Sequence, residues 1–162
     1  MPRIWVVNAS PLILLARIER LDLLTSLAET VRVPRSVLQE LEAGAHRDAA
    51  ADAVRNTPGL SIVPDPSVPE QVAAWDLGAG ETHVIADALE VPDAEAVLDD
   101  LAARRCARAL RLPLLGTLGV VATARKRGLI PAVRPLFEQL SAHGMRISPE
   151  LLRLVLAEVG EA

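Results

Sequence analysis

Five short apolar runs, each followed by a stretch with helical spacing, constrain this chain more than any other feature. "RIWVV" (3–7), "TVRVP" (30–34), "LSIV" (60–63), "EAVLDD" (95–100) and "PLLGT" (113–117) read as strands. Helical spacing follows in "ARIERLDLLTSLA", "PRSVLQELEAGA", "RDAAADAVRN", "DLAARRCARALRL", "LGVVATARKRG", "PAVRPLFEQLSAHG" and "SPELLRLVLAEVG". Gly44 marks a break between two of these helices, and "PEQVAAWDLGAGETHVIADALEV" splits into two more at Gly78–Gly80. Strands that alternate with helices predict an α/β fold, a central parallel sheet of four to five strands with helices on both faces. The chain has 162 residues, half of them hydrophobic, and no repeat, linker or low-complexity stretch. Residues 1–162 therefore read as a single domain with a core of its own.

The first strand ends in an unusual way. In "VVNASPLILL" (6–15) a polar triplet interrupts an apolar segment that resumes at once. Ser10-Pro11 reads as the cap and first position of a helix, which puts Asn8 and Ser10 where the chain leaves the sheet. Ligands of an open parallel sheet collect outside the carboxyl ends of its strands. Other polar residues fall at the same level: Glu40 on the helix after the second strand, Glu81 opening a helix after a Gly-rich turn, and Asp99-Asp100 after the fourth strand. A strand so apolar has little structural need of two adjacent charges, although one of the pair can cap the next helix. Convergent carboxylates repel one another and hold their protons unless a cation is present. Mg²⁺ and Mn²⁺ suit such an oxygen-rich site, and they can polarise a phosphoryl oxygen and activate a water.

Charge is unevenly distributed. Residues 101–135 hold eight Arg and Lys and no Asp or Glu, net +8, against −12 for the remainder. That asymmetry predicts a polyanion on one side of the molecule, with Arg104, Arg105, Arg125 and Lys126 as its candidate contacts. With two Trp, one Phe and no Tyr, recognition would run through phosphates rather than base stacking.

Several classes are disfavoured. The most apolar segment, "LPLLGTLGVVATA", is too short and too broken by Pro and Gly to cross a bilayer, and "MPRIWVVNAS" has too short an apolar core for a signal peptide. The single cysteine, Cys106, suits a reducing cytoplasm. His46, His83 and His143 lack zinc-ligand spacing, and "GTLGV" lacks the residues of a phosphate-binding loop or a dinucleotide site. A signalling receiver domain would carry its acidic pair after the first strand, where this chain has Asn8-Ala9-Ser10.

The segments "NAS" with "PLILLA", "VPRSVLQEL", "GAGETHVIADAL" and "AVLDDLAARRCARALRLPLLGTLGVV" together resemble the PIN-domain superfamily, most closely a branch related to VapC toxins. The resemblance continues through "ARKRGLIPAVRPLFEQL" to the C-terminus, and "LDD-x-x-AR-x-x-A" and "L-G-T-L-G" are its most specific parts. It implies a Rossmann-like sheet, a Mg²⁺- or Mn²⁺-dependent ribonuclease, a cognate antitoxin and a homodimer. Carried over by position, it puts the first acidic site on Asn8 with Ser10 beside it. The second falls on Glu40, the third on Glu81 and the fourth on Asp99/Asp100, with Asp100 preferred. Cation ligands would come from Asn8, Glu81, Asp99 and Asp100, with Glu40 and Ser10 completing the catalytic group. Where the family usually has Asp, Asn8 offers a carbonyl oxygen without the charge. Two readings follow, an endoribonuclease toxin, or a catalytically weak or inactive module that binds RNA or protein.

Overall fold

The structure is a computed structural model that describes residues 3–44 and 49–161. Ala45, His46 and the first two residues of "RDAAADAVRN" lie outside the described residues, as do Met1 and Pro2.

Five strands form the sheet: β1 (Ile4–Val7), β2 (Thr30–Pro34), β3 (Leu60–Val63), β4 (Ala94–Val97) and β5 (Leu114–Leu115). All pair in parallel in the order β3-β2-β1-β4-β5, with Trp5 opposite Val31 on one side and opposite Glu95 on the other. Trp5, Val6 and Val7 are fully buried, as a central parallel strand covered on both faces requires. The Trp5 indole N–H reaches the Glu95 carboxylate at 3.1 Å, which satisfies a buried donor across the β1–β4 pair.

Ten helices are described. α1 (Ala9–Arg17) and α2 (Asp22–Leu27) join β1 to β2, and α3 (Arg35–Ala43) and α4 (Ala50–Asn56) join β2 to β3. α5 (Glu70–Ala73) and α6 (Ala79–Glu90) carry the chain back across the sheet to β4, and α7 (Leu101–Ala109) leads to β5. α8 (Thr117–Lys126), α9 (Arg134–Ala142) and α10 (Pro149–Glu158) follow. β1 leads to β2 and β3 in one direction along the sheet and the return to β4 runs in the other, so right-handed crossovers, the rule for parallel strands, put α1 and α2 on the face opposite α6. α6 packs on β1, β2 and β4.

A bidentate pair fixes α6 against the sheet. Arg32 of β2 donates through Nε and Nη2 to the buried Asp87 carboxylate of α6, at 2.7 and 3.0 Å. Asp87 holds the Arg32 guanidinium above its ordinary pKa.

Several local readings of the sequence are corrected. Ser10 is not the helix cap: α1 begins at Ala9, and the cap position belongs to Asn8, whose side chain makes no capping hydrogen bond. The helical stretch after Pro11 is two helices, not one. α1 ends with Glu19 at φ 56°, while Arg20 N–H bonds Leu15 O at 2.8 Å and Glu19 N–H bonds Ala16 O at 3.0 Å. That is a Schellman ending with glutamate where glycine is usual. The fourth and fifth strands are shorter than read, so Asp99 and Asp100 lie beyond β4 and Thr117 opens α8.

Candidate active site

The direction of the chain across the sheet reverses between β1 and β4, since β1 leads outward to β2 and β3 while β4 leads to β5 on the other side. Such a switch point opens a crevice at the carboxyl ends of the two strands. Val7 is in register with Val97, and Asn8 N–H bonds Val97 O at 3.1 Å, so Asn8 and Asp99 leave the sheet side by side. A cleft of about 1090 Å³ lies above them. Asn8, Ser10, Glu40, Glu81, Asp99 and Asp100 all line it, although they are far apart in sequence.

The cleft has two corners. At the first, Asn8 is 2% exposed and its Oδ1 is buried without a hydrogen-bond partner. An orphaned buried carbonyl costs roughly 1–3 kcal/mol unless something receives it. Glu40 arrives from α3 and Glu81 from the first turn of α6. Burial, and then the charge of Glu81, push the Glu40 carboxyl above the usual carboxylate range. Gly80 completes this corner: a Cβ there would stand 3.2 Å from Asn8 Oδ1 and 3.4 Å from Glu40 Oε2, so the missing side chain leaves room beside both oxygens.

At the second corner Asp99 is fully engaged. Thr117 donates its N–H to Oδ1 at 2.8 Å and its hydroxyl to Oδ2 at 2.6 Å, and the Ser10 hydroxyl reaches Oδ2 at 3.2 Å. Ser10 thus serves Asp99 rather than the helix end. Asp100 is exposed and caps α7, with Oδ2 accepting from Ala103 N–H at 2.9 Å. Arg104 also lines the cleft and donates Nη1–H to Leu98 O at 2.8 Å. Burial chiefly holds its pKa below the ordinary arginine value.

The family model DUF3368, a PIN domain, matches residues 4–161. The chain belongs to that family. No curated protein matches it. PIN domains are commonly nucleases that bind RNA and use divalent cations, so nuclease-type chemistry is the general function that membership supports.

The residues of this PIN domain fit such a cation at the Asn8 corner. The donors are hard oxygens, one of them orphaned, and the Gly80 cradle gives space beside two of them. Among the described residues no three His, Cys, Asp or Glu side chains stand close enough together to hold a metal ion. Asn8 removes one carboxylate from that count, Thr117 and Ser10 occupy Asp99, and α7 occupies one oxygen of Asp100. The corner therefore suits an ion that keeps several waters, as Mg²⁺ and Mn²⁺ do.

Sequence reasoning missed Thr117 although "L-G-T-L-G" was singled out, because a lone threonine carries no signal of the carboxylate it meets. It also missed a clamp between α3 and α6. Ser36 Oγ and His83 Nδ1 lie 2.8 Å apart, and Asp65 accepts the Ser36 N–H at 2.9 Å. Of the four predicted RNA contacts, Arg104 lines the cleft and Arg105 is exposed on α7. Arg125 faces Glu161 at 3.5 Å and Lys126 pairs with Glu158, so acidic residues at the C-terminal end answer part of the +8 segment.

Proposed function

We propose that this PIN domain is a divalent-cation-dependent endoribonuclease, the toxin of a toxin–antitoxin pair. The observation that carries the reading is the convergence of Asn8, Glu40, Glu81, Asp99 and Asp100 on one cleft at the switch point of the sheet. Asn8 Oδ1, Glu40 and Glu81, with Asp100 from across the cleft, would hold the ion. When bound, such an ion polarises a phosphoryl oxygen and makes water acidic enough to attack. Glu40, whose carboxyl is pushed above the usual carboxylate range by burial and then by Glu81, is the candidate to accept a proton from the attacking water. Asp99, fixed by three donors, orients Ser10 and Thr117 at the second corner. The antitoxin and a homodimer belong to the same reading, and exposed Leu151 and Leu154 on α10 supply an apolar surface for a protein partner.

The experiment is cleavage of single-stranded RNA with Mn²⁺, with EDTA as control, for wild type, Glu40→Gln, Glu81→Gln, Asp100→Asn and the triple variant. Groups that hold one ion act as a unit, so each single change should cost nearly as much as all three. Cleavage that survives EDTA or the triple substitution would sink the reading.

A second reading, a catalytically weak or inactive module binding RNA or protein, is favoured by one observation: the most buried oxygen of the cation corner is an amide, not a carboxylate. Wild type that binds Mn²⁺ and RNA but cleaves nothing would establish it.

A further inference from the structure

Arg104 differs from the other partly buried arginines. Arg20, Arg32 and Arg125 each face a carboxylate within 4 Å and Arg3 lies over the Trp5 ring, whereas Arg104, on the cleft, has neither an ion pair nor a ring among the described residues. The side chain reaches across the end of β4, and its Nη1 is anchored on the main-chain oxygen of Leu98. It stands where Gly116 leaves space, 3.0 Å from the position a Cβ would take there, with Asp99 Oδ1 at 2.8 Å from the same point. Asp99 supports the positive charge electrostatically but its oxygens are committed to Thr117 and Ser10. One of five guanidinium donors is thus spent on the anchor. A positive charge partly removed from water with no carboxylate bound to it is costly, and an anion entering the cleft would relieve that cost.

We infer that Arg104 is the phosphate-binding residue of the cleft, its planar donors receiving non-bridging oxygens of a nucleic-acid phosphate next to the cation corner. The inference rests on the nuclease reading and assigns the two corners different work. Asn8, Glu40 and Glu81 hold the cation, and Arg104 holds the anion. Guanidinium matches two phosphate oxygens at once, which an ammonium cannot do. Asp99, whose oxygens are taken by Thr117 and Ser10, then belongs electrostatically to the Arg104 corner and not to the cation.

The test uses the full chain in EDTA with two probes, inorganic phosphate and a short single-stranded RNA. Phosphate is titrated against wild type, Arg104→Gln, Arg104→Lys and Arg111→Gln, and amide NMR shifts are followed. Arg111 is exposed beyond the far end of α7 and does not line the cleft. In wild type the Gly116 and Thr117 amides should shift with phosphate. Arg104→Gln should weaken binding about tenfold and remove those shifts, Arg104→Lys should retain part of the affinity, and Arg111→Gln should stay within about twofold. For RNA, Arg104→Gln should lower the log–log salt slope by about 0.7, one phosphate contact on a single strand. Melting curves check that each variant folds, and the Lys variant carries the test if the Gln variant does not. Wild-type affinity and shifts in Arg104→Gln overturn the inference, even where RNA is still cleaved with Mn²⁺. Phosphate binding that needs Arg104, in a chain that binds no RNA, upholds the subsite and overturns the nuclease reading instead.

Discussion

At the scale of single residues, Asn8 and Glu40 decide what the cation corner can do. Asn8→Asp adds a charge where the position is 2% exposed and Glu40 is adjacent. Burial and like charge both disfavour an ionised carboxylate there. The metal-free variant should therefore melt lower than wild type at neutral pH, and Mn²⁺ should restore it with roughly tenfold tighter binding by calorimetry, since affinity at oxygen sites follows ligand charge. Unchanged Mn²⁺ affinity would remove Asn8 from the ligands. Glu40 gives the opposite sign. Its folded pKa is raised, so the folded chain binds that proton more tightly than the unfolded chain. The associated stability is complete below the ordinary glutamate value of about 4.3 and is lost as pH rises through the folded pKa. In EDTA, Glu40→Gln should thus raise the melting temperature at pH near 7, and the gain should vanish at a pH below that ordinary value. A pH-independent gain would mean that charge is not the cause. The sequence made these oxygens legible through their places after strands and at helix starts. It did not reveal their partners: Ser10 looked like a cap because Ser-Pro usually is one, and only the fold brings Asp99 to it across 89 positions.

Among the elements, the strand–helix alternation was readable because a parallel sheet demands short continuous apolar runs, and all five runs are strands. Helix ends were readable where glycine marks them, as at Gly128 and Gly144, both with positive φ. They were hidden where Glu19 and Arg111 take the same left-handed conformation, at φ 56° and 58°, because nothing in those side chains announces it. The Arg32–Asp87 pair was hidden for a similar reason: one charged residue in a strand and one in an apolar helix say nothing of each other until β2 and α6 pack. That pair carries an element-scale prediction. Asp87→Asn leaves the Arg32 charge beside a buried amide, and breaking a buried pair from one side costs on the order of 3 kcal/mol. Since α6 also delivers Gly80 and Glu81, the loss should appear both in denaturant midpoint and in Mn²⁺ affinity. Glu95→Gln, which spares α6 and keeps an oxygen for Trp5, should leave the Mn²⁺ affinity near wild type.

For the molecule as a whole, the question is which surface meets a second protein. Two apolar helical stretches in the sequence, "PLILLARIERLDLL" and "ELLRLVLAEV", hold more leucine than one core of this size suggests. The fold separates them. Leu12, Leu14, Leu15, Leu23 and Leu24 are all buried, so the first stretch is used within the chain's own core. α10 is different: Val155 and Leu156 are buried, but Leu151 is 47% and Leu154 68% exposed. Leu151 and Leu154 lie three residues apart and share a face of the helix. The C-terminal end of that helix is tied down by Glu158 to Lys126, and beyond it Glu161 accepts the N–H groups of Val133 and Arg134 at 2.6 and 3.2 Å. An apolar face held on a fixed helix beside the cleft, which Leu151 and Val155 also line, is suited to association. Light scattering at micromolar concentration should therefore give the mass of a dimer, and Leu154→Glu should give a monomer with its melting temperature close to wild type, because a side chain so exposed contributes little to the core. A wild-type monomer would leave this face open to a different protein partner, and added RNA should then protect α10 from hydrogen exchange less than such a partner does. A dimer that survives Leu154→Glu would place the contact elsewhere and leave Leu151 as one of the apolar residues that line the cleft.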